Sequence, residues 1–128
     1  YAHHPTEIKF VLEGVKQVYN GFDKVCIFQP HRISRLKDLR KEFSFAFQNA
    51  DTVVLCPVYT AGEKIKLGFS YLDFAKDIIK NSKVKLFLVN DNKQLAIFLK
   101  KNMYGKKIVI GMGAGSISSW MRKLPKLI

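Results

Sequence analysis

Acidic side chains, arginines, cysteines and long apolar runs are all in short supply in this chain. Ten Asp and Glu stand against 22 Lys and Arg, a formal charge of +12 at neutral pH. A charge of that size brings nucleic acid, anionic membrane and polyanionic ligands into consideration. No dense basic run accompanies it. Lys37, Lys41, Lys76 and Lys80 fall singly, and Lys100–Lys101 and Lys106–Lys107 only in pairs, the pattern of a solvated surface rather than a basic tail. Only four of the bases are arginines, and two of these, Arg32 and Arg35, share one short stretch. The two cysteines, Cys26 and Cys56, each sit inside an apolar run, with no C-x-x-C spacing and no third cysteine. Buried reduced thiols are expected, with a disulfide as the alternative. No apolar stretch reaches the roughly 18 to 20 residues needed to cross a bilayer, and the first residues lack the form of a signal peptide. A cytoplasmic protein is expected. No G-x-x-x-x-G-K-[ST] phosphate loop is present either. Tyr1 opens the chain in place of a methionine. One domain excised from a longer chain is the expectation.

What the 128 residues do contain is material for one core, since 48% are apolar and 12% aromatic. Ile8, Val11, Leu12, Val15, Val18 and Tyr19 have helical spacing over residues 5 to 20, with Pro5 suited to the first turn. Lys24 to Phe28 reads as a short buried strand. A second helical stripe follows through Leu36, Leu39, Phe43, Ala46 and Phe47, ending near Asn49. Asp51 to Cys56 is a continuous β-branched run, the mark of a parallel strand covered on both faces. A helix over about 70 to 80 should turn Leu72, Phe74, Ala75, Ile78 and Ile79 inward. Lys83 to Val89 is the third strand, 92 to 103 the fourth helix, Lys106 to Ile110 the fourth strand, and a short helix is expected around 117 to 124. Regular alternation of strand and helix predicts an α/β fold, a three-layer Rossmann-like domain over 1–128 with a mostly parallel sheet and helices on both faces.

In such a sheet ligands bind beyond the carboxyl ends of the strands. Three segments should meet there: Gln29 to Arg35, Pro57 to Lys64 and Gly111 to Ser116. The His3–His4 pair should join them if a strand precedes Tyr1. Arg32 and Arg35, three residues apart, present planar forks able to clamp a carboxylate or phosphate. The bland reading makes them surface arginines at a helix start, where cations are mildly unfavourable. All three histidines, His3, His4 and His31, map to this edge and could pass protons or hold a polar ligand. Equally, His4 caps its helix and His31 packs. No recognised metal spacing surrounds them, and no metal ligand is assigned. The run Gly111-x-Gly113-x-Gly115 could cradle an anion or simply turn the chain from strand to helix.

Four stretches carry a further resemblance: Tyr1-Ala2-His3-His4-Pro5-Thr6-Glu7-Ile8; Phe28-Gln29-Pro30-His31-Arg32 with Ser34-Arg35; Val58-Tyr59 with Ala61-Gly62-Glu63; and Met112-Gly113-Ala114-Gly115 with Ile117. In this order they resemble the C-terminal domain of the L-alanine-adding branch of the Mur ligase family. That resemblance implies a three-domain cytoplasmic enzyme of peptidoglycan synthesis. ATP, with magnesium, activates the carboxylate of UDP-N-acetylmuramate as an acyl phosphate, and the amine of L-alanine attacks it. It places the L-alanine subsite at His3, His31, Arg32 and Arg35, a catalytic role at His3, and nucleotide contacts at Tyr1 and His4. ATP and magnesium would need the central domain, so this chain by itself is expected to be inactive. Ile33, Pro57 and Ser116 depart from the residues common in the family. A sister ligase that adds a preassembled peptide is the nearest alternative. The charge alone leaves a basic nucleic-acid-binding module as a more distant one, while the resemblance implies neither nucleic acid nor membrane as a partner.

Overall fold

The first helix forms where the sequence supplies both a start signal and an apolar stripe. In a computed structural model, which describes residues 4–30, 33–57, 71–102, 105–113 and 122, α1 spans Pro5–Val18. His4 is its N-cap: Nδ1 accepts from the Thr6 N–H at 3.2 Å, and the Glu7 carboxylate accepts from the His4 N–H at 3.2 Å. This reciprocal capping box satisfies amide donors that a helix start leaves orphaned. Pro5, Ile8 and Leu12 are buried. Val11 and Val18 share the expected periodicity yet remain exposed, because only the Ile8–Leu12 line faces the sheet.

Four parallel strands follow in the order β3-β2-β1-β4, with β1 at Asp23–Gln29, β2 at Thr52–Leu55, β3 at Lys85–Leu88 and β4 at Lys107–Gly113. Between them lie α2 (Ile33–Asp38), α3 (Arg40–Phe45), α4 (Tyr71–Ser82) and α5 (Asn92–Asn102). The predicted α/β architecture with a parallel sheet is therefore present. Side chains alternate along β1 with the period of two that pleating imposes. Cys26 and Phe28 enter a core with Ile8, Leu12, Leu36, Phe43, Phe47, Phe74 and Ile78. Val25 and Ile27 enter another with Val54, Cys56, Leu95 and Leu99. Helices α1 to α4 thus feed one face and α5 the other. Phe28 is the hub of the first, with ring centroids 5.6 Å from Phe43 and 5.2 Å from Phe47.

Several local expectations are corrected. The stripe from Leu36 to Phe47 is two short helices, because Leu39, at φ −110° and ψ 20°, leaves the helical basin. Leu36, Phe43 and Phe47 are buried all the same. In α4 the inward line runs through Phe74, Ala75, Ile78 and Ser82. Leu72 and Ile79, seven residues apart and so on one side, lie about a quarter of the circumference off that line and are exposed. The third strand is shorter than Lys83 to Val89, and the outer position of β3 leaves Phe87 and Leu88 exposed. The fourth strand does not stop at Ile110 but continues to Gly113, paired residue for residue with β1 as far as Gln29. Apart from Arg122, the helix expected around 117 to 124 lies outside the described residues.

Candidate functional site

Open α/β sheets bind ligands beyond the carboxyl ends of their strands. The chain leaves β1 toward β2 on one side, whereas β4 lies against β1 on the other. At the carboxyl edge β1 and β4 end side by side, with Gln29 opposite Gly113. The stretch Phe28 to Arg35 leaves β1 at that point. Helix α1, 14 residues and about 21 Å long at the α-helical rise, ends at Val18 shortly before β1 opens at Asp23, with His4 capping its other end.

Of the residues expected to form the site, Tyr1, His3, His31 and Arg32 lie outside the described residues, as does the segment 58–70. Arg35 falls within α2, in its first turn, although its side chain is not described. His4 is described and carries the capping role. Because Nδ1 accepts a hydrogen bond, neutral His4 keeps its proton on Nε2, which remains a donor. Of the glycine run, Gly111 and Gly113 belong to β4 rather than to a turn. Gly113 has φ 128°, and a Cβ built there would lie 2.2 Å from the Gln29 carbonyl oxygen. Glycine is thus required by both conformation and proximity. Residues 114–116 are outside the described residues.

Two described residues at this edge make contacts that sequence reasoning missed. Gln29 is 3% exposed and donates from Nε2 to the Pro57 carbonyl at 3.2 Å. Tyr71, at the start of α4, donates its hydroxyl to the Cys56 carbonyl. The only sequence signal for Gln29 is a polar residue closing the apolar run Val25 to Phe28. Burial pushes the Tyr71 hydroxyl above its ordinary range, with the neighbouring Cys56 adding to the rise. Burial also pushes the Cys56 thiol up to about 12, and the Cys26 thiol rises through burial first and the proximity of Cys56 second. Both cysteines are free and buried. Desolvation keeps them protonated, so neither is a nucleophile or metal ligand near neutral pH.

The amino edge is built differently. Lys24, 8% exposed, donates from Nζ to the Phe22 carbonyl at 2.8 Å, while the Asp51 carboxylate accepts from its backbone N–H at 2.8 Å. Lys107 pairs with Asp23 at 3.4 Å. Those charges tie strand starts together and have their partners within the fold. A cavity of about 540 Å³ opens between α1 and α3, where Phe10 and Phe45 meet Lys9, Glu13, Lys41 and Glu42. Its charges, two lysines against two glutamates, cancel. Among the described residues no three His, Cys, Asp or Glu side chains cluster in a way that could hold a metal. Nor is any helix among them long and apolar enough to cross a membrane.

No family model matches the chain. A UDP-N-acetylmuramate–L-alanine ligase of Pelagibacter ubique is 69% identical over 128 residues, covering 100% of this chain and 28% of that protein. One from Bartonella bacilliformis is 37% identical over 126 residues, covering 98% of this chain and 26% of that protein. The chain therefore spans little more than a quarter of the length of the curated relatives it matches. Among solved structures, a UDP-N-acetylmuramate–alanine ligase of Thermotoga maritima matches with a TM-score of 0.66 at 27% identity, over 98% of this chain and 25% of that one. A murein peptide ligase of Psychrobacter arcticus matches with a TM-score of 0.74 at 14% identity, over 99% of this chain and 26% of that one, a likeness of fold alone. With relatives covering it from end to end and a parallel sheet matching theirs, the chain belongs to the Mur ligase family and corresponds to the C-terminal domain of its UDP-N-acetylmuramate–L-alanine ligases.

Proposed function

We propose that the protein carrying this domain is the ATP-dependent ligase that joins L-alanine to the carboxylate of UDP-N-acetylmuramate in cytoplasmic peptidoglycan synthesis. This domain contributes the amino-acid subsite. The observation that carries the reading is the departure of the Phe28 to Arg35 stretch from the carboxyl end of β1, the edge at which open α/β sheets bind ligands. The 69% identity to a relative of that name supports it.

The chemistry asked of the subsite is modest and suits its residues. ATP phosphorylates the muramyl carboxylate, leaving ADP and an acyl phosphate. The L-alanine nitrogen, once it has given up a proton, attacks the acyl carbon; the C–N bond forms, the C–O bond to phosphate breaks, and phosphate leaves. Arg32 and Arg35 hold the alanine carboxylate as planar forks, so that the amine is oriented rather than free. His3 accepts the proton of the incoming ammonium group, and His31 completes the wall. Tyr1 and the Nε2 donor of His4 lie toward the nucleotide. The sequence has no phosphate loop. Binding of ATP and its metal is assigned to the remainder of the longer chain.

In the full-length enzyme, Arg32→Ala should raise the KM for L-alanine roughly tenfold to a hundredfold, the cost of a lost charge-assisted hydrogen bond, and leave the KM for ATP alone. Unchanged KM and kcat would remove Arg32 from the subsite. Offering a preassembled tripeptide in place of L-alanine separates this enzyme from a peptide-adding ligase, because only L-alanine should be ligated.

A further inference from the structure

We propose that Gln29 is a positioning residue that locks the carboxyl ends of β1, β2 and β4 into one frame, from which the amino-acid subsite departs. This inference rests on the reading of that subsite given above. The backbone ladder between β1 and β2 reaches its last step where the Cys56 N–H donates to the Phe28 carbonyl at 2.9 Å. The next step would be the N–H of residue 30 donating to the Cys56 carbonyl, and Pro30 has none to give. The side-chain amide of Gln29 takes over at that point, donating to the Pro57 carbonyl at 3.2 Å from a site that is 3% exposed. On its other side the backbone of the same residue faces Gly113. The approach there is so close that any Cβ would meet the Gln29 carbonyl oxygen at 2.2 Å. One residue therefore braces two neighbouring strand ends, by its side chain toward β2 and by its main chain toward β4. The stretch that leads to α2 leaves β1 directly after Gln29, so a shift at Gln29 is passed to it.

Tyr71 gives the contrast that makes this testable. Its hydroxyl holds the Cys56 carbonyl, one residue from the Gln29 partner, but from α4 rather than from β1. It secures β2 to the helix layer without bridging the strand ends. If Gln29 served stability alone, removing either donor would have the same consequence.

The test compares Gln29→Met, Gly113→Ala and Tyr71→Phe in the full-length enzyme. Methionine matches the length of glutamine without its donor. Gln29→Met and Gly113→Ala should each raise the KM for L-alanine about tenfold, the equivalent of one hydrogen bond, while the KM for ATP stays within about twofold. Tyr71→Phe should lower the thermal midpoint and leave the alanine KM unchanged. Hydrogen exchange followed by mass spectrometry should show faster exchange in peptides covering 30–35 and 57–64 of Gln29→Met, with the interiors of β1 and β2 unaltered. That measurement needs no substrate, so it decides the positioning role even if the wild-type enzyme proves not to use L-alanine. Matching profiles for Gln29→Met and Tyr71→Phe would overturn the proposal. So would uniform loss of exchange protection, or failure of both Gln29→Met and Gly113→Ala to give soluble, folded protein.

Discussion

Cys26 and Cys56 show how burial sets chemistry at a single residue. The apolar runs around them pointed to inert, reduced thiols, and both are free and buried. The Cys56 thiol has its ordinary value of 9.0 pushed up to about 12 by desolvation. In the unfolded chain it loses its proton near pH 9, whereas in the folded chain it holds it. The folded state therefore binds more protons between those values, and stability falls as pH rises through that window, by about 1.4 kcal/mol per pH unit for this thiol. The stabilisation is fully present below about pH 9. Urea unfolding of the protein at pH 8, 9 and 10 should show this slope, and Cys56→Ala should lack its share of it. Thiol-specific alkylation near neutral pH should be slow until denaturant is added. Gln29 was legible only as part of a motif, since nothing in a linear sequence shows that its amide meets the carbonyl of a residue 28 positions away.

At the scale of elements, periodicity located the described helices and strands but ran α2 and α3 together, and its errors of burial have a common form. Val11, Val18, Leu72 and Ile79 satisfied an apolar stripe but are exposed, because a stripe shows that a helix has a buried face without showing how wide the covering surface is. The break at Leu39 left no mark in the sequence, which has neither glycine nor proline there. The join between α3 and α4 was equally hidden: Ser82 donates to the Ser44 carbonyl at 2.6 Å and accepts from the Phe47 N–H at 3.2 Å, while Arg40 pairs with Asp77 at 2.6 Å. The cap of α1 offers a test that separates two roles of one side chain. His4→Ala should cost about 0.5 to 2 kcal/mol of stability through the lost cap, and His4→Asn, which restores a capping acceptor, should recover most of it. If His4 also meets the nucleotide, His4→Asn in the full-length enzyme will raise the KM for ATP despite its restored stability.

For the whole molecule, the two edges of the sheet are built differently. The amino edge is closed by its own pairs, Lys24 with Asp51 and Lys107 with Asp23. At the carboxyl edge β1 passes into the stretch that leads to α2. A subsite of this kind acts only on an activated carboxylate brought to it. Incubated alone with ATP, UDP-N-acetylmuramate and L-alanine, the 128-residue chain should release no phosphate, and the full-length protein should release it in step with amide formation. Phosphate release by the chain alone would contradict the division of labour proposed above.

By itself the sequence determined the α/β alternation, the inward residues of most elements, the buried thiols and the motifs that match the Mur ligases. These properties depend on neighbours two to four positions apart, or on the order of motifs along the chain, and both are written in linear form. Only the tertiary structure decided that β4 lies beside β1, that the glycine run begins inside a strand, and that Gln29 braces Pro57 and Gly113. Those facts arise from hydrogen bonding and close packing between segments far apart in sequence, where a single Cβ or a missing N–H determines what can fit.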